Sequence, residues 1–329
     1  MRKIKKNILI TGCAGFIGYH FTKLCMLNKN YKIIGIDNLN KYYSVKLKLD
    51  RIIDLKKNNL NKNFIFKKTD INNYNKLFSL CKKYNINQVI NLGAQAGVRH
   101  VFKKPKDYFS SNLLGFFNIL EVCRNLKIKE LIYASTSSVY GDNKKMPFLE
   151  NHDTSLPIQF YAATKKCNEV MAHSYAKMFS VNSIGVRFFT VYGSWGRPDM
   201  SIFKFTKNII ENKNIEIFNY GDHLRDFTHV SDIVSAIYKL SKKIKKGSEI
   251  FNIGNNKQIK LMEMIKILEK LLNKKSKKIF KPLQAGDIVA THSSTKKLYN
   301  YIGYKSKINI KTGIKEFLDW YLQYTNAKL

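Results

Sequence analysis

The sequence predicts an α/β fold, a doubly wound parallel sheet with a smaller C-terminal α/β lobe. Three observations predict it. Short apolar runs alternate with amphipathic helical stretches from Asn7 to Phe188. A glycine-rich turn joins the first run to the first helix, and beyond Phe188 the pattern breaks into short elements and loops. Strands that alternate with helices pair in parallel and present their ligands at the strand C-terminal ends. At 329 residues, with 44% hydrophobic and 13% aromatic side chains, the chain can bury a full core, which excludes a disordered protein.

Each element follows in order. Asn7–Thr11 is a buried strand, short, apolar and ended by glycine. Gly12-Cys-Ala-Gly15-Phe16-Ile17-Gly18 comes next and opens a helix that runs to about Leu27. Gly12 permits a tight turn, Gly15 lets the backbone approach a pyrophosphate at the helix N-terminus, and Gly18 allows close helix–strand packing. This is a Rossmann-type start, in which Phe16 and Ile17 join the glycines in contacting a dinucleotide. The second strand ends in Asp37. A carboxylate there accepts hydrogen bonds from the adenosine ribose and repels a 2′-phosphate, so NAD is expected rather than NADP. Asn38 and Asn40 are compatible with that. Phe64–Lys67 is a third strand, after which Asp70 and Ile71 reach towards the adenine. A helix over 73–84 leads to the fourth strand, Gln88–Leu92. Leu92, at the strand end, and Ala94, in the loop Gly93–Gly97 that follows, pass the dinucleotide. Lys106–Leu126 is expected as one long helix with Asn112 pointing inward, and Glu130–Ala134 as the fifth strand.

That strand runs into Ser135-Thr136-Ser137-Ser138, four hydroxyls where a substrate would lie. Serines also gather in turns because they bond the backbone. Tyr161 and Lys165 follow on a helix from Phe160 to about Ser180. Four residues apart, they share a helix face, so the ammonium can stabilise the tyrosinate and lower its pKa from about 10 towards neutrality. Such a phenol can take and return a hydroxyl proton. This helix and the one around Asn118 carry a second apolar face, which suits a homodimer through a four-helix interface. Ser183–Phe188 is a sixth strand. The expected division is a dinucleotide-binding domain over 1–188, with about 225–254 returning to it, and a lobe over 189–329 that mainly binds substrate.

A net charge of +35 taken alone points to nucleic acid. The lysines are scattered, however, and no nucleic-acid motif accompanies them, so they read as a solvated surface that attracts anionic substrates. Five cysteines without close pairing argue against a disulfide framework. The seven histidines show no metal-ligand spacing, so no metal is expected. No stretch is long and apolar enough to span a membrane, and nothing reads as a signal peptide; a cytoplasmic protein is expected.

With those residues in hand, the chain resembles the extended short-chain dehydrogenase/reductase family through Gly12–Gly18, Asp37, Asn112, Thr136, Tyr161 and Lys165. More narrowly it is similar to the UDP-glucuronate 4-epimerases, through Gly35–Asn40 with Tyr42 and Tyr43, Ala94–Arg99, Ser135–Gly141, Tyr161–Lys166, Arg187–Gly193, Trp195–Met200 and Arg225–Phe227. The resemblance spans nearly the whole chain. It implies NAD-dependent epimerisation at C4 of a UDP-sugar through a transient 4-keto sugar. In it Tyr161 is the base, Lys165 keeps it acidic and binds the nicotinamide ribose, and Thr136 orients the hydroxyl. It places Arg197, Arg225, Gln284 and Asp287 around UDP, and leaves Phe218 to stack on uracil or join the core.

With a glucuronate the keto sugar is a β-keto acid, so Ser137, Ser138 and Thr190 are the candidates to hold its carboxylate near the ketone plane. The related 4,6-dehydratases carry Asp-Glu at the positions of Ser137 and Ser138, and the UDP-glucuronate decarboxylases carry Glu at that of Ser138; neither acid is present. The chain departs from the family pattern at Gly93, where alanine is usual, at Gln284–Asp287, which lacks a proline, and at His292-Ser293, which replaces Tyr-Ala. Other readings are a 4-epimerase for UDP-glucose or UDP-N-acetylglucosamine, a decarboxylase, a non-catalytic dinucleotide sensor, and a nucleic-acid binder.

Overall fold

The structure is a computed structural model that describes residues 6–97, 100–284 and 286–327. Its main sheet has seven strands. In chain order the elements that build it are β1 (Lys6–Thr11), α1 (Phe16–Met26), β2 (Tyr31–Asp37), α2 (Val45–Lys57), β3 (Phe64–Lys68), α3 (Tyr74–Lys83), β4 (Gln88–Asn91), α4 (Pro105–Tyr108), α5 (Gly115–Asn125), β5 (Glu130–Thr136), α6 (Phe160–Phe179) and β6 (Asn182–Phe188). The seventh strand is Ser248–Ile253, and the spatial order is Ser248–Ile253, β6, β5, β4, β1, β2, β3. The β1–β2, β2–β3, β1–β4 and β4–β5 pairs are all parallel.

Chain order reverses beside β1, so the crevice for a ligand opens between the ends of β1 and β4. There Thr11 pairs with Asn91 across the sheet, and its hydroxyl donates to the Asn91 Oδ1 at 2.6 Å. The same Oγ1 accepts from Gly93 N at 2.9 Å. A Cβ built on Gly93 would stand 2.9 Å from that oxygen, so the glycine found where alanine is usual gives the Thr11 hydroxyl room.

The chain falls into two compact units. One comprises the described parts of Met1–Asp142 with Glu150–Arg187 and Val234–Phe251. Its core on one sheet face gathers Leu9, Ile36, Val89, Phe116, Leu120 and Leu131. The other comprises Asn143–Leu149, Phe188–Ile233 and the described parts of Asn252–Leu329. It holds a three-stranded sheet in the order Gln258–Lys260, Leu224–His229, Thr190–Tyr192 and a parallel pair, Asn214–Ile217 with Lys277–Phe280. Helices Ser201–Ile210, Leu261–Leu272 and Ile310–Thr325 close its core around Phe205, Ile217, Met264, Leu268 and Phe317. The last two helices are amphipathic at the helical period, which is why each buries one stripe.

One element differs from expectation. The long helix over Lys106–Leu126 is interrupted: a π-helical turn over Phe109–Leu114 separates α4 from α5. Such a turn widens the backbone ladder and redirects one side chain, often at functional positions. Here it surrounds Asn112, which is 1% exposed and does point inward. Among the described residues no helix is long and apolar enough to cross a membrane. All five cysteines are free, four of them buried.

Candidate active site

The glycine turn forms as its sequence requires. Gly12 has φ +66°, and a Cβ on it would meet the Gly93 backbone at 2.8 Å. A Cβ on Gly18 would stand 2.0 Å from the Gly12 carbonyl oxygen, so α1 can lie this close to the turn only with glycine there. Gly15 caps α1 without a side-chain hydrogen bond, and the first turn carries no acidic residue. The N-terminal N–H groups and the positive end of the helix dipole are thus left for an anion. Phe16 is buried in this first turn and Ile17 half-buried.

At the end of β2, Asp37 accepts hydrogen bonds from Ala14 N at 3.2 Å and Leu39 N at 2.8 Å. Burial raises its pKa, while those two N–H groups and the cations Lys48 and Arg51 oppose the rise. Arg51 is fully buried and donates to the Ala14 carbonyl at 2.7 Å, bracing the turn from below. Sequence reading missed it, and α2 with it. Asn38 donates to Asp70 Oδ2 at 2.9 Å, so two of the expected adenosine contacts meet. Ile71 is buried, and its carbonyl accepts from Asn118 at 2.9 Å. Leu92 and Ala94 are half-buried in the loop after β4. Val98 and Arg99, which close the Ala94–Arg99 motif, lie outside the described residues.

Asn112 locks this loop onto α6. Its Oδ1 accepts from Gln95 N at 2.8 Å, and its Nδ2 donates to Gln95 O and to Thr164 Oγ1, both at 3.0 Å. Thr164 in turn donates to the Tyr161 carbonyl at 2.7 Å. Tyr161 is half-buried, with its ring edge-on to the buried Tyr108 at 6.0 Å. Lys165 is 2% exposed and donates to Asn168 Oδ1 at 2.7 Å. Asn168, fully buried, hangs from the Asn112 carbonyl in the π turn at 2.6 Å. Burial pulls the Lys165 pKa down to about 7, against the field of Glu169, which raises it. Asn168 was not anticipated. Its one signal is the spacing: three residues after a lysine, it reaches the same helix face.

At the end of β5, Thr136 Oγ1 donates to Ser138 Oγ at 3.2 Å and accepts from Ser138 N at 3.2 Å. Ser137 and Ser138 are half-buried. Ser135 departs from the expected row of hydroxyls: it is buried and donates inward to Glu169 at 2.7 Å, because alternate strand residues face opposite ways.

In the second unit, Arg225 donates to Asp287 Oδ1 at 3.1 Å and to the Val289 carbonyl at 2.8 Å. Asp287 N donates to the Gln284 carbonyl at 3.1 Å, so these three expected residues are brought together. The buried His223, unforeseen, lies 3.5 Å from the other Asp287 oxygen. Beside Arg225, the buried Asp226 collects donors from Asn255 N, Asn256 N, Ser293 N and Ser293 Oγ. The Ser293 hydroxyl at 2.6 Å accounts for the serine found in place of alanine. Arg197 forms a bidentate pair with Asp199. Its loop is held by Trp195, whose ring packs on Trp320 at 5.4 Å and Tyr324 at 5.3 Å. Thr190 is half-buried and opens a strand paired with Phe227. Phe218 is half-buried, with Lys281 Nζ 6.0 Å from its ring centroid.

A family model described as the NAD dependent epimerase/dehydratase family matches residues 8–254. The chain belongs to that family. It is therefore an enzyme, and NAD is its family's cofactor. An uncharacterized protein of Methanocaldococcus jannaschii is 48% identical over 97% of both chains. UDP-glucuronate 4-epimerase 4 of Arabidopsis thaliana is 39% identical over 97% of this chain and 76% of its own. The solved structure of the Bacillus cereus UDP-glucuronic acid 4-epimerase, in complex with UDP-glucuronic acid and NAD, superposes with a TM-score of 0.90. That enzyme is 31% identical over 97% of this chain and 99% of its own. The residues present fit a dinucleotide: the uncapped α1 terminus, the turn that Cβ atoms would fill, and the acid at the end of β2.

The burial of Lys165 carries a stability cost with a defined pH dependence. Its folded pKa of about 7 lies below the ordinary lysine value of about 10.5, so between those values the unfolded chain binds the extra proton. Stability then rises with pH across that window. Lys165→Met should raise the unfolding midpoint at pH 6, and by progressively less towards pH 10, while turnover is lost. Thermal melts across this range check it. A variant destabilised equally at every pH contradicts the assignment.

Proposed function

We propose that the protein interconverts UDP-glucuronate and UDP-galacturonate by epimerisation at C4. The observation that carries this reading is a buried lysine one helical turn from Tyr161, beside strand-end hydroxyls at Thr136 and Ser138, with no acid at positions 137 and 138. Bound NAD+ supplies the means to oxidise and re-reduce the sugar at C4. The chain supplies the rest. Tyr161 as phenolate takes the C4 hydroxyl proton and later returns it. Lys165 holds that phenolate by its charge, and Thr136 orients the hydroxyl. Gly12, Gly15, Gly18, Phe16, Ile17, Asp37, Asn38, Asp70, Ile71, Leu92, Ala94 and Asn112 are assigned to the dinucleotide. Arg197, Arg225, Gln284 and Asp287 are assigned to UDP; the fixed fork of an arginine suits a diphosphate.

The 4-keto sugar of a glucuronate loses CO2 when its carboxylate turns perpendicular to the ketone. Hydroxyl donors at Ser137, Ser138 and Thr190 are assigned to hold it near the plane. Water elimination needs an acid and a base beside the ring, and the absence of carboxylates at Ser137 and Ser138 disfavours it. The likeness to the plant and Bacillus cereus UDP-glucuronate 4-epimerases supports the acid sugar over UDP-glucose or UDP-N-acetylglucosamine.

The chain is also proposed to be a homodimer through α5 and α6. Phe117 on α5 and Val170 and Met178 on α6 are exposed, and Val170, Ser174 and Met178 recur at helical spacing. Light scattering should give twice the chain mass for the wild type and the single-chain mass for Phe117→Glu/Val170→Glu; a monomeric wild type contradicts the dimer.

NMR of the sugar after incubation with UDP-glucuronate and NAD+ tests the reaction. The expected outcome is a near-equal mixture with UDP-galacturonate, abolished in Tyr161→Phe with UDP-sugar binding retained. A pentose product with CO2 release contradicts the roles of Ser137 and Ser138. Turnover of UDP-glucose or UDP-N-acetylglucosamine alone contradicts the acid substrate.

A further inference from the structure

One turn beyond Lys165 on α6 stands a second buried charge. Glu169 is 5% exposed and is held by three elements. From β5, Ser135 Oγ donates to its Oε1 at 2.7 Å. From β6, Arg187 grips both oxygens, Nε to Oε1 at 2.9 Å and Nη2 to Oε2 at 2.8 Å. Arg187 is itself 3% exposed, donates to the Glu150 carbonyl at 3.2 Å and lies over the Tyr140 ring at 4.8 Å. From its own helix, Lys166 Nζ approaches Oε2 at 3.7 Å. The phenol of Tyr133 on β5 also feels its charge. Burial alone would raise the Glu169 pKa, but the Arg187 and Ser135 donors hold it below the ordinary carboxylate value, so the group is an anion at neutral pH.

Lys165 lacks such a partner. Among the described residues its ammonium bonds a neutral amide oxygen, and no carboxylate pairs with it directly. A buried cation of that kind discharges unless a nearby anion favours its charged form. We propose that Glu169, fixed by Ser135 and Arg187, is the buried counter-charge that favours the protonated form of Lys165. It is a positioning residue that touches neither sugar nor dinucleotide, and it acts through Lys165. The rigid bidentate grip explains why an arginine and a strand serine converge on it: an anion free to swing would give an unsteady field. The inference rests on the roles proposed for Tyr161 and Lys165.

The test is the pH profile of kcat for the full-length protein with UDP-glucuronate and NAD+. In Glu169→Gln the ammonium loses its counter-charge and faces an unbalanced Arg187, so the alkaline limb should move to lower pH by about one unit or more. At the acid end of the profile kcat should approach the wild-type value, which a merely structural defect would not allow. Breaking one side of a buried pair endangers folding, whereas replacing both sides with neutral groups is often tolerated. Glu169→Gln/Arg187→Met therefore serves as the fold-safe variant, and its limb should move the same way by less. An unmoved limb in the folded double variant, or a loss of kcat by one factor at every pH, overturns the proposal. Tyr161→Phe separates the two layers. Normal turnover in that variant sinks the reading of the site itself, whereas a silent Tyr161→Phe with an unmoved limb in the Glu169 variants sinks only the role of Glu169.

Discussion

An ammonium ion taken out of water costs several kcal/mol even after the protein relaxes around it. Lys165, buried in the first unit, bears that cost when it is charged, and the groups around it hold its ammonium in place. Asn168 gives it an oxygen, and Asn168 is hung from a carbonyl that the π turn at Phe109–Leu114 presents. Asn112 in the same turn ties the loop after β4 to Thr164, whose hydroxyl holds the carbonyl of Tyr161. One widened helical turn therefore fixes the loop, the lysine and the tyrosine relative to one another.

The dinucleotide end of the unit is governed by backbone clearance. Gly12 and Gly18 stand where a single added carbon would overlap main-chain atoms of the turn or of Gly93. The consequence is an uncapped helix terminus close to the switch point of the sheet, with Asp37 beside it and Arg51 braced beneath. Backbone N–H groups and one acid thus line this end of the unit, an arrangement that suits an anionic dinucleotide.

Much of this was legible in the sequence, for physical reasons. Buried parallel strands are written as apolar runs, and a glycine motif between a strand and a helix allows few other structures. Tyr161 and Lys165 announced themselves by helical spacing. What stayed hidden depends on partners far apart in the chain. Glu169 and Arg187 are separated by 18 residues, and nothing local says that they meet. Ser135 read as one of four equivalent hydroxyls, until the strand's alternation turned it towards Glu169. The break in the Lys106–Leu126 helix has no proline at its centre to mark it. The aromatic support of the Arg197 loop comes from Trp320 and Tyr324, more than a hundred residues downstream of Trp195. Family resemblance supplied Arg225, Gln284 and Asp287 together, and their hydrogen bonds join them, but the burial of His223 and Asp226 beside them shows only in three dimensions.

The charge of the buried Lys165 is proposed to make Tyr161 an unusually acidic phenol. The most direct test is a pH titration of the NAD-loaded protein carrying 13C at the tyrosine Cζ positions, followed by NMR. One resonance, absent from Tyr161→Phe, should move to the tyrosinate position well below the ordinary tyrosine value of about 10. If every tyrosine signal holds its neutral position up to about pH 9, the phenolate is not pre-formed and Lys165 does not act on Tyr161 in this way.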